Sequence, residues 1–207
     1  MSIGVDGEGA ARSALERCVG EGGVALFPAD GLYGLACDPL NADAVERIQA
    51  LKGRDERKPS AVMYFSPLAM RELVEDLAPR TREAVGALTP GPVTLVVANP
   101  RRRYPLACRE DPERLGVRLI EGPLAGAMTP VFQTSANRSG ETAPHRFADV
   151  AEQILAGADL AIDGGELTGA PSTVVDLSSL DEDGGWKLLR EGGLPREALE
   201  AALGSPG

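Results

Sequence analysis

Residues Lys52 to Pro59 read Lys-Gly-Arg-Asp-Glu-Arg-Lys-Pro, placing Lys52, Arg54, Arg57 and Lys58 within seven residues of a chain whose formal net charge is -10. An ammonium is a compact point charge, and a guanidinium is a planar fork that fits phosphate oxygens. The stretch therefore reads in one of two ways. It is a polyanion site, or it is a solvated cap, since cations after a helix are favoured by the helix dipole alone. Asn41 can cap a helix whose apolar positions Val45, Ile48 and Leu51 recur at helical spacing. Ser60 to Phe65 reads as a buried strand. The cations are thus expected on a loop between a helix C-terminus and a strand, at the rim of a sheet.

Three further stretches carry chemistry-bearing side chains. Pro28 to Gly34 reads as a turn that brings Asp30 and Tyr33 together, with Gly31 and Gly34 allowing unusual backbone or a close approach. Thr134-Ser-Ala-Asn-Arg-Ser-Gly140 gathers hydroxyls, an amide and a guanidinium at the C-terminal end of the strand Pro130 to Gln133. Open α/β sheets bind ligands at that edge, although small polar residues also build ordinary turns. Arg118, between Val117 and Leu119, interrupts an apolar strand; it points to solvent or binds an anion in a cleft, and alternation on a half-exposed strand makes solvent the default.

Other chemistry is not indicated. His145 is the only histidine and reads as solvent-facing, so no Ser-His-Asp triad can be assembled. Cys18, Cys37 and Cys108 are few and far apart, with no C-x-x-C pair; reduced thiols are expected, with neither zinc site nor disulfide framework. No metal-ligating residues are assigned. Arg101-Arg-Arg-Tyr104 with Arg109 reads as a solvated loop ahead of a nucleic-acid patch. The N-terminus lacks the pattern of a signal peptide, and no apolar run is long enough to span a membrane, so a cytoplasmic protein with no membrane partner is expected.

The elements that must position these residues follow in order. Helices are expected over Ala11–Val19, from the Ser66 cap with Leu68, Leu73 and Leu77 toward the sheet, over Arg82–Leu88, Phe147–Leu155 and Pro195–Leu203. Strands are expected at Val24–Phe27, Val93–Val97, Gly116–Ile120, Leu160–Asp163, Ser172–Asp176 and Trp186–Arg190, with a further apolar segment at Leu35–Cys37. With no repeat and no linker, residues 1–207 are read as one α/β domain with a twisted mixed sheet flanked by helices. Neither G-x-G-x-x-G nor a Walker loop is present.

Taken together and in order, these motifs resemble the threonylcarbamoyl-AMP synthase family over roughly residues 20 to 195. Pro28-Ala-Asp-Gly-Leu-Tyr-Gly-Leu-Ala-Cys-Asp38 is similar to the family's Pro-Thr-Glu-Thr-Val-Tyr-Gly-Leu-Gly segment. Lys52-Gly-Arg54 matches its Lys-x-Arg. Pro90-Gly-Pro-Val-Thr94, Gly116-Val-Arg118, Ser135-Ala-Asn137 with Ser139-Gly140, Asp163-Gly-Gly165, Ser172-Thr-Val-Val-Asp176 and Leu189-Arg190 follow. The resemblance implies a YrdC-like fold, a mixed parallel/antiparallel sheet with an open concave cleft.

It also implies an activity: L-threonylcarbamoyladenylate and pyrophosphate formed from ATP, bicarbonate and L-threonine, for threonylcarbamoylation of adenosine-37 in tRNA. Lys52, Arg54, Ser135 and Asn137 are the implied catalytic set. Arg54, Lys58, Ser135, Asn137 and Arg190 would hold ATP with Mg2+. Gly31, Tyr33, Met63, Arg118, Gln133 and Ser172 would surround the amino acid, Arg118 taking its carboxylate. tRNA or double-stranded RNA and proteins of the tRNA-modification machinery are the implied macromolecular partners. The chain departs from the family at the amino-acid side. Gly31 stands for a threonine, Met63 for a histidine, Ala29 and Asp30 for threonine and glutamate, and Leu119-Ile120 where a proline is expected. Two alternatives stay open: a relative acting on another carbamoyl or amine substrate, as in hydrogenase-maturation carbamoyltransferases, and a non-catalytic RNA-binding protein.

Overall fold

The computed structural model describes residues 2–4, 8–53 and 58–204; for residues 2–4 and 8 only the backbone is described. Arg54 and Arg57 therefore lie outside the described residues. In chain order the elements are β1 (Ser2–Gly4), α1 (Glu8–Gly20), β2 (Ala25–Ala29), β3 (Leu32–Cys37), α2 (Ala42–Lys52), β4 (Ala61–Tyr64), α3 (Pro67–Asp76), α4 (Pro79–Leu88) and β5 (Val93–Ala98). They continue with α5 (Pro105–Cys108), β6 (Arg114–Leu119), β7 (Val131–Ser135), a 3-10 turn at Phe147–Asp149, α6 (Glu152–Gly157), β8 (Leu160–Asp163), β9 (Thr173–Asp176), β10 (Lys187–Arg190) and α7 (Arg196–Leu203).

Among the described residues ten strands join one sheet, in the order β1-β8-β2-β3-β7-β4-β6-β5-β9-β10. Four of its pairings are parallel (β1/β8, β2/β8, β4/β6, β5/β9) and five antiparallel, so the sheet is mixed as expected. Side chains alternate across a strand, so register divides the residues into two faces. Leu26, Leu35, Phe132, Val62, Val117, Leu95 and Val175 share one face and the larger apolar core, which takes in Val45 and Ile48 of α2, Leu73 of α3 and Val85 of α4. The other face is divided. Ala25, Phe27, Ala36, Met63 and Val131 pack with Ala11, Leu15 and Val19 of α1. Beyond them Ala61, Gly116, Thr94, Val96, Gln133, Ser135 and Val174 bear no helix and line a cavity instead. Short side chains at Ala61 and Gly116 make that part of the sheet a concave floor.

The caps read from sequence are present. Asn41 accepts from the Ala44 amide at 3.0 Å, and Gly53 closes α2 in the left-handed conformation, with φ 54°. Ser66 caps α3, with Pro67 at its first position.

Several expectations are corrected. Pro28 to Gly34 is not one turn: β2 runs through Pro28 to Ala29, and β3 starts at Leu32, leaving only Asp30 and Gly31 between them. Pro28 is tolerated because β8 pairs with β2 only at Ala25 and Leu26, so that side of Pro28 needs no ladder donor. Leu68 is 60% exposed; Met70 and Leu73 are the residues α3 buries. The Phe147–Leu155 helix is broken, because extended backbone at Val150 lets that side chain reach the core between two short segments. Thr134 and Ser135 belong to β7, and α5 and β1 were not foreseen.

Candidate active site

One cavity of about 480 Å³ opens on the unhelixed part of the sheet, a size suited to a small-molecule ligand. Its lining joins residues far apart in the chain: Ser60 and Ala61, Thr94, Arg114 and Arg118, Gln133 to Ser135, Asn137, Ala170 to Ser172, and Leu189 with Arg190.

Arg118 is buried, not solvated; its side chain is 6% exposed. It projects from β6 on the same face as Gly116 and pairs with Asp30 on the β2–β3 turn, while Nη1 lies 3.4 Å from Gln133 Oε1. Asp30 holds a left-handed backbone, with φ 64°, which a short polar residue adopts more readily than most. Burial, opposed by Asp30, lowers the Arg118 pKa, and Arg190 lowers it further. Burial also raises Asp30, opposed by Arg118. The default of a solvent-facing arginine fails because the outward face of β6 borders a cleft between the sheet and the 170–172 segment.

Arg190, on β10, donates to Ser172 O from Nε at 3.1 Å and from Nη2 at 2.8 Å, and reaches Ser172 Oγ at 3.0 Å. Ser172 Oγ in turn lies 2.8 Å from Thr94 Oγ1. Thus β10, β9 and β5 are tied side by side at the cavity wall, with the guanidinium on that wall. Burial lowers the Arg190 pKa.

The Lys52 ammonium is placed differently from expectation. Lys52 ends α2 and is 3% exposed, outside the cavity lining. Its Nζ donates to Ser135 O, to Asn137 O at 2.6 Å and to Asn137 Oδ1 at 3.4 Å, and its own carbonyl accepts from the Ser139 amide at 2.8 Å. It braces the turn after β7, where Ser135 and Asn137 both line the cavity. Lys58 is exposed next to Pro59 and Ser60, which do line it.

The remaining expected residues are near the cavity in varying degree. Gln133 and Ser172 line it; so does Tyr33, but its hydroxyl is engaged elsewhere, donating to Gly165 O at 2.8 Å and accepting from the Gly164 amide at 2.9 Å. Met63 pairs in register with Arg118 yet is wholly buried in the α1-side core. Gly31 touches the 168–170 segment: a Cβ there would stand 2.1 Å from Ala170 O.

Sequence reading overlooked Ser60, Thr94, Asp111 and Arg114. Ser60 Oγ and Arg118 Nε, both on cavity-lining residues, are buried polar atoms that no described protein group satisfies, as are the Gln49 amide and Arg109 Nε away from the cavity lining. Arg114 pairs with Asp111 and, at 3.1 Å, with Asp176. Adjacency to Pro59 and to the Pro90–Thr94 motif was the available signal for Ser60 and Thr94.

The second basic stretch is not a free patch. Arg101 pairs with Asp76 at 3.0 Å, Arg102 with Glu113 at 2.5 Å and Arg103 with Asp76 at 2.7 Å. His145 is partly exposed beside Glu166, 3.9 Å away. The three cysteines are buried free thiols. Among the described residues, no helix is long and apolar enough to cross a membrane.

A mixed α/β sheet with a cleft walled by guanidinium and hydroxyl groups is the architecture of the YrdC-like class. Residues 17–192 match the family model of Sua5, YciO and YrdC, described as "Telomere recombination", and the chain belongs to that family. It is 34% identical over 185 residues to the threonylcarbamoyl-AMP synthase of Thiobacillus denitrificans, covering 86% of this chain and 97% of the relative. It is 32% identical over 195 residues to the threonylcarbamoyl-AMP synthase of Pyrococcus abyssi, covering 89% of this chain but only 54% of that relative's length. Among solved structures, P. abyssi Sua5 complexed with L-threonine superposes with a TM-score of 0.84 at 30% identity, over 100% of this chain and 62% of that one. YciO of E. coli, at 23% identity, shares the fold with a TM-score of 0.80, over 96% and 98%.

Proposed function

We propose that this chain, as one domain, is a threonylcarbamoyl-AMP synthase that joins L-threonine, bicarbonate and ATP into L-threonylcarbamoyladenylate and pyrophosphate. The observation that carries the reading is the meeting of Arg118 and Arg190 with Ser135 and Ser172 around one cavity, from four different strands or strand ends. The names of the T. denitrificans and P. abyssi relatives point the same way, as does the complex of P. abyssi Sua5 with L-threonine.

Carbamate formation from an amine and bicarbonate, followed by attack of the carbamate oxygen on the α-phosphorus, brings two anions together. Catalysis then needs positive charge and alignment more than a strong base. In this reading Arg54, Lys58 and Arg190 serve the nucleotide, at a wall that Ser135 and Asn137 complete. Arg118, with Gln133, Ser172 and the ring of Tyr33, serves the amino acid, while Met63 stays behind the sheet in the α1-side core. Among the described residues no three His, Cys, Asp or Glu side chains cluster as a metal site. That donor set fits magnesium carried mainly by the phosphates, where it would neutralise phosphoryl charge. The product would serve tRNA modification in the cytoplasm, together with the proteins of that machinery. The ion-paired arginines at 101–103 favour a small-molecule enzyme over an RNA-binding protein.

The test is pyrophosphate release from ATP and bicarbonate with and without L-threonine. Threonine-dependent release is expected. Release that depends on another amine, or tRNA binding without turnover, would overturn the assignment.

A further inference from the structure

The hydrogen bonds of the Ser135–Asn137 turn fix which of its atoms are donors. Lys52 Nζ has only hydrogens to offer, so the Asn137 atom 3.4 Å from it must be the oxygen. On its other side Asn137 Nδ2 faces two carbonyls, Arg138 O at 2.8 Å and Glu141 O at 2.7 Å, which can only accept. Flipping the amide would set donor against donor and acceptor against acceptor, so its orientation is determined. Ser135 Oγ lies 2.5 Å from that same Asn137 Oδ1, an atom without a hydrogen. The bond therefore uses the single Ser135 hydroxyl proton.

From this we infer that Lys52 is a positioning residue which, through Asn137, turns the Ser135 proton inward and leaves the hydroxyl facing the cavity as an acceptor. The group Ser135 receives is electropositive, a ligand N–H or O–H or a magnesium ion, and not a phosphate oxygen. Asn137, with both ends of its amide engaged inside the protein, holds Ser135 and does not itself grip the ligand. This rests on the proposed function for its substrates, and it changes the roles expected from sequence: Lys52 acts behind the wall, and Ser135 recognises the proton-bearing or metal-bearing side of the reactants.

The test combines turnover with binding of ATP in the presence of a chelator, read by calorimetry on the full chain. Lys52→Met and Ser135→Ala should each lower threonine-dependent pyrophosphate release about tenfold or more, the scale of one charged or buried hydrogen bond. Their effects should be non-additive, the double variant losing no more than the worse single one. Metal-free ATP affinity should change less than about threefold in both. A higher KM for the amine in Ser135→Ala would identify a substrate N–H or O–H as the group received; a raised magnesium midpoint would identify the metal. Additive losses, or a tenfold loss of metal-free ATP affinity in either variant, would overturn the inference. If Lys52→Met does not fold, the chelator measurement on Ser135→Ala decides alone. If no amine supports turnover, that same measurement still reads the polarity of Ser135, so failure of the proposed function is told apart from failure of this inference.

Discussion

Placing a side chain at Gly31 tests how tightly the β2–β3 turn is fitted to the cavity wall. A Cβ on Gly31 would lie 2.1 Å from Ala170 O, 2.7 Å from Thr168 Oγ1 and 3.0 Å from Ala170 C. Two of these atoms are backbone, so relief requires the 168–170 segment to withdraw by roughly 1 Å to regain van der Waals distance. That segment is pinned to the turn by the Gly169 amide donating to Gly31 O at 2.9 Å, and it leads into Ser172, the anchor of Arg190. Overpacking costs about 1–3 kcal/mol and the strained hydrogen bond about 1 kcal/mol more, for a total near 3 kcal/mol. For a chain of this length that lowers Tm by about 6–12 °C. A displacement of about 1 Å in the wall of the proposed active site should lower turnover by up to about 100-fold. Scanning calorimetry and pyrophosphate release on Gly31→Ala would measure both. Gly86→Ala is the control: it sits inside α4 with nothing within 4 Å of its Cβ, and should gain up to about 1 kcal/mol while turnover stays unchanged. Gly31→Thr, the residue type of the resembled family, should be worse than alanine. A threonine variant with unchanged Tm and tighter amino-acid binding would refute the reasoning.

Arg190→Ala removes three hydrogen bonds to Ser172 together with a cation at the cavity wall, and should lower turnover at least about tenfold in a steady-state assay. Asp30 is held above its ordinary value by burial, opposed by Arg118. Its contribution to stability is therefore present below the unfolded value of 3.8 and is lost as pH rises through the raised folded one. Asp30→Asn should flatten the dependence of Tm on pH from about 4 upward, and a slope equal to that of the unaltered protein would contradict this. Burial pushes the Cys18 thiol up to about 11 and the Cys37 thiol up to about 12. Both should resist iodoacetamide at pH 8 in the folded protein and react on addition of denaturant, as counted by mass spectrometry.

Local signals reported the elements faithfully where one stretch of chain decided the outcome. Asn41 capping α2, Ser66-Pro67 opening α3, and the apolar runs at Val93 and Leu160 needed no distant partner to be read. Outcomes set by remote packing were misjudged. β1 is only three residues long and exists by pairing with β8, more than 150 residues later, which no periodicity announces. Leu68 fits a helical apolar pattern but falls on the outer side of α3, because Met70 and Leu73 set which side packs. Arg118 follows β-alternation correctly; what alternation cannot say is that its face turns into a cleft instead of bulk water. The motifs, in order, name together several residues that the structure brings to one cavity: Arg118, Gln133, Ser135, Asn137, Ser172 and Arg190. Their division of labour was not legible, since the bracing role of Lys52 depends on carbonyl orientations 83 and 85 residues away.

The order of strands has a consequence for synthesis of the chain. Among the described strands only three neighbouring pairs, β2/β3, β5/β6 and β9/β10, are also consecutive in sequence. β8 must slot between β1 and β2, β7 between β3 and β4, and β9 beside β5. A nascent chain therefore cannot close its sheet from the N-terminal end as it leaves the ribosome. Its early strands wait with open edges until residues near 160–176 arrive. Premature termination before that point would leave sticky half-sheets prone to aggregate, not a smaller working protein.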